Sequence, residues 1–143
     1  MSLSTVHYAR CIKTLESSLA LLRQAEAGSI DYEIFRNAVI KGFELTLETA
    51  GKLLRRVLPT YSGSPRAVAA LSYKDVLRHA AKHGLMSIEA VTRWFAYRDN
   101  RNNTAHDYGE GFAEETLKLL PGFIDDARTL EATLREKLGD AEA

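Results

Sequence analysis

Phe43–Leu58 reads FELTLETAGKLLRRVL, and the reading of this stretch decides the fold. Phe43, Leu47, Ala50, Leu54 and Leu58 recur at spacings of four and three, the repeat of one face of an α-helix. Followed backwards, the stripe takes in Val39 and Phe35; followed forwards, it is ended by Pro59. A long amphipathic helix is the result, and the segments on either side repeat its pattern. Upstream, Tyr8, Ile12, Leu15, Leu19 and Leu22 share one face, and EAGSID (26–31) supplies a glycine stop followed by a Ser/Asp start. Downstream, PTYSGSPR (59–66) is the one clear loop, in which Ser64-Pro65 is suited to opening a short helix.

SYKDVLRHAAKHGL (72–85) begins with Ser72 and places Asp75 three residues on, an arrangement like a capping box, with Gly84 as its stop. Ser87 is placed to cap a fourth helix whose apolar side is Ile88, Val91, Trp94 and Phe95. The last segment carries Ala113, Leu117, Leu120, Ile124, Ala127, Leu134 and Leu138, with Pro121 inside the stripe, where it should kink or break the helix. No run reads as a strand, and no repeat or low-complexity stretch occurs. The expected architecture is all-α: an antiparallel up-and-down bundle of four to five helices, formed by residues 1–143 as one domain.

Composition fits that expectation and narrows the function. The 143 residues are 45% hydrophobic and 27% charged, an ordinary globular balance, and 9 glycines with 3 prolines are few for an all-β chain. Nineteen basic residues offset nineteen acidic ones, so nucleic-acid binding would require a local basic patch. Cys11 is the single cysteine, which excludes an internal disulfide; buried in the first helix, it reads as a small apolar residue. MSLSTVHYARCIK (1–13) has no apolar signal core, and no run approaches the roughly 20 apolar residues of a membrane span. A cytoplasmic protein is expected. His79 and His83 are four apart on one helix, but a structural zinc site wants four ligands and no further set is evident, so no metal and no other cofactor is expected.

One stretch breaks the apolar pattern. Continued beyond Phe95, the inward face of the fourth helix meets Arg98, Arg101, Asn102, Ala105 and His106 within RNNTAHDY (101–108). A guanidinium is seldom buried without a partner. This end therefore either leaves the core, as a solvated helix terminus favourable to the dipole, or lines a cleft or subunit interface. Asn102 and His106 share a face. Arg101 and His106, five apart, lie about 140° apart around a straight helix and about 7.5 Å along it. To act together they need a bend, for which Asn102-Asn103-Thr104 is suited, or a second subunit.

Arg101-Asn102-x3-His106-x-Tyr108 resembles the R-x4-H-x-Y motif of the HEPN superfamily, in particular its HepT-like toxins, also called nucleotidyltransferase substrate-binding proteins. FELTLETAGKLLRRVL and the region 72–108 follow the same family in order, so the likeness covers most of the chain from Asp31 onward. The resemblance implies a homodimeric helical bundle, metal-independent RNA cleavage as one half of a toxin–antitoxin pair, and a cognate minimal nucleotidyltransferase as partner. It makes Arg101 and His106 the catalytic pair, Asn102 the polar residue beside the arginine, and Tyr108 the residue that the partner modifies. Glu44 lies in the family's "FE" pattern, with a structural or partner-contact role. GEG (109–111) directly after Tyr108 departs from the pattern and bears on the modification role. Arg98 and Arg93 are the nearest candidates for RNA phosphates; Arg55 and Arg56 read first as a solvated helix end and second as outer contributors. The alternative is a non-catalytic adaptor, or substrate-binding subunit, of a nucleotidyltransferase complex.

Overall fold

The computed structural model describes the backbone of residues 3–104 and 110–142, and their side chains except at 103, 104, 110–112 and 140–142. The five expected helices are present: α1 (Val6–Gln24), α2 (Ile30–Val57), α5 (Tyr73–Lys82), α6 (Ile88–Thr104) and α7 (Glu110–Glu142). Between α2 and α5 the predicted loop folds into two single turns, α3 (Pro59–Ser62) and α4 (Pro65–Ala69), the second opening at Ser64-Pro65. No strand occurs among the described residues, and the architecture is all-α. No described helix is long and apolar enough to cross a membrane.

Local chemistry sets the boundaries. The hydroxyls of Ser29, Ser64, Ser72 and Ser87 accept hydrogen bonds from the backbone amides of Tyr32, Ala67, Asp75 and Ala90 at 3.0–3.2 Å, each satisfying a donor that the first helical turn leaves over. Gly84 stands at φ 75° after α5, the left-handed conformation that a helix stop needs and a β-carbon disfavours. Pro121 does not divide the last segment: α7 runs across it as one helix, with the proline on the exposed side.

α1 packs along α2, and α7 lies against α1, α2 and α6, so the stripes read from the sequence converge on one core. Leu15, Phe43, Leu47, Leu54, Leu77, Leu120 and Leu134 are buried to 1% exposure or less. Phe43, Trp94, Tyr97 and Phe123 form an edge-to-face cluster with ring centroids 4.9–5.7 Å apart, the geometry that aromatic quadrupoles favour. Phe123, Leu130 and Tyr97 join the core beyond the expected stripes. Ile88, in the first turn of α6, leaves it at 77% exposure, while Leu85 before it and Val91 after it are buried. Polar ties fasten α1 to α7: Thr5 donates to Glu131 at 2.7 Å, Tyr8 to the Ala127 carbonyl at 3.2 Å, and Arg128 pairs with Glu16.

Candidate functional site

The last turns of α6 carry the polar residues that interrupted the apolar stripe, and α2 and α5 receive them. Arg98 is the more enclosed. Its Nη1 donates to Glu48 on α2 at 2.5 Å, and its guanidinium lies 4.5 Å from the centroid of the Tyr73 ring at the start of α5. A guanidinium held between a carboxylate and an aromatic face keeps its charge while shedding much of its water. Arg101, one turn further on, reaches the same Glu48 oxygen with its Nε at 3.5 Å, and a third of its side chain remains exposed. Asn102 beside it is exposed. The two arginines thus both reach the Glu48 carboxylate.

Tyr73 holds this arrangement from below. Its hydroxyl donates to the Leu47 carbonyl at 2.7 Å, which fixes the ring under Arg98. Burial pushes its phenol well above the ordinary range, while the Arg98 guanidinium pulls the other way. The ring fits only because residue 51 is glycine: a β-carbon there would lie 2.5 Å from the edge of Tyr73.

On the inner side of the same turn, Asn100 is buried and donates from its carboxamide to the Thr116 hydroxyl at 2.9 Å, tying the end of α6 to the early part of α7. These two positions lie on inward faces where leucine or valine would ordinarily pack. The pairing meets the demand that buried polar groups be hydrogen-bonded.

The other predicted residues are distributed as follows. His106 and Tyr108 lie outside the described residues. Arg93 points towards α7, where Nε and Nη2 each meet an Asp126 oxygen at 2.8 Å, and the Tyr97 hydroxyl donates to the same carboxylate at 2.5 Å. Those hydrogen bonds raise the guanidinium's pKa, and burial followed by the Asp126 bond raises that of Tyr97. Arg93 and Arg98 therefore serve different carboxylates. Arg55 donates to the Val68 and Leu71 carbonyls at 3.2 and 2.8 Å, closing the end of α4. Glu44 is half-buried, one turn before Glu48 on α2. His83 stacks on Tyr61, with centroids 5.4 Å apart. Among the described residues no group of three His, Cys, Asp or Glu side chains is placed to hold a metal ion. Trp94 and Tyr97 are core residues at 1% and 3% exposure.

Glu48, Tyr73 and Asn100 were not singled out in the sequence. Glu48 sits one position past Leu47 on a helix rich in charge, and nothing within α2 says which of several arginines it meets. The local signal was in α6, where an inward face filled with guanidinium groups demanded a carboxylate somewhere.

Comparison with known proteins shows the family and the fold. The model of a family described as "nucleotidyltransferase substrate binding protein like" matches residues 4–136. A Haemophilus influenzae protein named probable ribonuclease HepT is 32% identical over 98 residues, spanning 68% of this chain and 66% of that relative. Among solved structures, a Haemophilus influenzae protein, described as revealing the fold of a substrate-binding domain of a nucleotidyltransferase, superposes with a TM-score of 0.80 at 24% identity over 92% of this chain and 99% of its own. A Thermus thermophilus protein matches at 0.61 with 31% identity, covering 87% and 98% of the two chains. A tri-AMPylated Shewanella oneidensis HEPN toxin, solved in complex with its MNT antitoxin, shares the fold at 0.57 and 14% identity over 90% and 96%.

Proposed function

The chain belongs to the nucleotidyltransferase substrate-binding-protein-like family, the HepT-like branch of the HEPN superfamily, and from that premise we propose that it is a metal-independent endoribonuclease toxin, silenced by a cognate minimal nucleotidyltransferase that modifies Tyr108. The observation that carries the reading is the seating of Arg101 and Arg98 on Glu48, which gathers guanidinium charge where the R-x4-H-x-Y sequence begins. The probable ribonuclease among its relatives supports the activity, and the Shewanella complex supports the class of partner.

In the proposed reaction the RNA supplies its own nucleophile. The 2′-oxygen attacks the adjacent phosphorus and gives up its proton; the bond from phosphorus to the 5′-oxygen breaks, and that oxygen takes a proton. A 2′,3′-cyclic phosphate and a 5′-hydroxyl result. His106, with an imidazole reference pKa near 6.5, suits either transfer at neutral pH. The planar donors of Arg101 suit the charge that grows on the phosphorane oxygens. Asn102 orients the substrate or the imidazole. Because Arg101 and His106 diverge on a straight helix, a twofold homodimer brings the motifs of two protomers together, one imidazole acting as base and its mate as acid. Arg98 and Arg93 are the proposed phosphate contacts, with Arg98 nearer the site and Arg93 further along α6 beside Asp126.

Products and substrate analogues test the chemistry. RNA cleaved by the protein should carry 2′,3′-cyclic phosphate ends, and a substrate with a single 2′-deoxy sugar at the cleavage position should resist. Ends bearing a 3′-hydroxyl and a 5′-phosphate would contradict it. Co-expression with the partner should add nucleotide mass to Tyr108 and abolish cleavage; an unmodified tyrosine in the silenced protein would refute the silencing role. The adaptor reading draws on the substrate-binding description of the family and of one structural relative. It predicts a well-folded dimer that binds the nucleotidyltransferase and cleaves nothing.

A further inference from the structure

We infer that the groove between α5 and α6 is the track along which single-stranded RNA leaves the cleavage site, with its phosphates on Lys74, Arg78 and Lys82 and a base against Ile88. This rests on the ribonuclease reading above and extends it from the motif to the surface that holds the strand.

Two rows of side chains line the groove. On α5, Lys74, Arg78 and Lys82 follow one another at four-residue intervals, so three cations share one face with about 6 Å of helix between neighbours. On α6, Ile88, Phe95 and Asn102 are seven apart and also share a face, and the contacts of Ile88 and Phe95 show that it looks onto α5. The rows begin at the motif. Lys74 follows Tyr73, whose ring carries Arg98; it pairs with Asp99 at 2.8 Å, and exposed Asn102 stands a turn beyond. They end about 12 Å further along α5, at a hollow of about 290 Å³ between Arg78, Ala81, Lys82, Ile88 and Val91.

Both ends suit a nucleotide chain. Near the motif, the Lys74 Nζ lies 5.3 Å and the Arg78 guanidinium 4.9 Å from the centroid of half-buried Phe95. Ring and cations attract, so two long side chains that would otherwise sweep the solvent are gathered at one place. At the far end Ile88, at 77% exposure, is the most exposed large apolar side chain among the described residues, and it borders a hollow rimmed by two cations. An apolar wall beside positive charge matches a base beside its phosphate. The competing carboxylates are replaceable. Asp99 and Asp75 pair with Lys74 and Arg78 at 2.8 and 2.6 Å, but all four side chains are more than a third exposed. Ion pairs so placed contribute little to stability, so phosphate can exchange for them. Lys82 makes no ion pair with a described residue.

The experiment uses the full chain carrying His106→Ala, which keeps bound RNA intact, and a fluorescein-labelled uridine decamer. Binding is measured by anisotropy over a range of salt, and the Ile88 δ1-methyl is followed by carbon-13 NMR. Adding RNA should shift that methyl, in a protein whose groove is unaltered. Lys82→Gln should weaken binding and lower the logarithmic salt slope by about 0.7, one phosphate contact on a single strand; Arg78→Gln with Lys82→Gln should lower it by about 1.4. Ile88→Ala should weaken binding at an unchanged slope, and the effect should vanish on an abasic decamer. Asp99→Asn, which removes a competitor for Lys74, should tighten binding. An Ile88 methyl that RNA leaves in place, or Lys82→Gln with wild-type affinity and slope, would overturn the track. So would substitutions that weaken binding of the nucleotidyltransferase and leave RNA binding as it was, since the groove would then belong to the protein partner. Cleavage by the protein with His106 intact, beside an unmoved Ile88, would defeat the track and keep the ribonuclease reading. RNA held in the groove of a protein that never cleaves would do the reverse.

Discussion

A single glycine sets how closely α2 and α5 approach beneath the guanidinium cluster. At Gly51 a β-carbon would sit 2.5 Å from the Tyr73 ring, and that ring is both buried and bonded to the α2 backbone, so it has nowhere to retreat. Gly51→Ala should therefore destabilise the protein by about 1–3 kcal/mol, as overpacking a filled core does, although alanine is the better helix former. Urea denaturation measures this, and an alanine variant as stable as wild type would mean that the contact is soft. Arg101 makes a second prediction at this scale. Arg101→Lys keeps the charge but replaces a planar fork with a point donor, so RNA affinity should be nearly retained while cleavage falls tenfold or more, by about 1.4 kcal/mol or more in the barrier. Equal losses in binding and rate would assign Arg101 to affinity alone.

Between elements, the buried Asn100–Thr116 bond joins α6 to α7 on either side of the segment that carries His106 and Tyr108. Removing only one partner leaves a buried hydroxyl or amide unsatisfied, so Asn100→Ala should cost about 1–3 kcal/mol. The paired change Asn100→Leu with Thr116→Val should recover most of that stability, and a double-mutant cycle of urea midpoints measures the coupling. Losses that simply add would show that the bond is energetically idle. Helix boundaries were the most legible part of the sequence. Serine caps at 29, 64, 72 and 87, and glycine at 84, act through chemistry confined to one turn, so a local reading suffices. Pro121 was not decidable in that way. Whether a proline ends a helix or is carried along depends on the neighbours, and here α7 is held on both sides of it by packing against α1, α2 and α6. Ile88 was misplaced for a related reason: its spacing fits the stripe, but in the folded chain Leu85 and Val91 on either side of it enter the core while Ile88 is left on the outside.

Across the molecule, the core followed from periodicity while the partners of the charged residues did not. Glu48 and Arg98 are fifty positions apart and Arg93 and Asp126 thirty-three; such pairings exist only once the helices are stacked. The sequence marked α6 as the anomalous helix, and the fold supplied the carboxylates. The whole fold also predicts a response to alkali. Burial raises the phenols of Tyr8 and Tyr73 well above their usual values, so the folded protein retains protons that the unfolded chain releases above about pH 10. Their contribution is complete below that pH and declines as pH rises towards the folded values. Unfolding midpoints should drop above pH 10, and phenolate absorbance from these two residues should appear together with unfolding. Ionisation of all six tyrosines near pH 10 in an intact fold would contradict their burial.

The most direct measurement of the central claim is single-turnover cleavage of tRNA and mRNA in EDTA by wild type, Arg101→Ala and His106→Ala, each first verified by thermal melting as folded. Wild type should cut without metal; His106→Ala should lose about 100- to 10,000-fold in rate, the range of a positioned proton-transfer group, and Arg101→Ala about 100- to 1,000-fold, the range of a donor that stabilises transition-state charge. Cleavage by folded His106→Ala at the wild-type rate, or a wild type active only when a divalent metal is restored, would contradict the account.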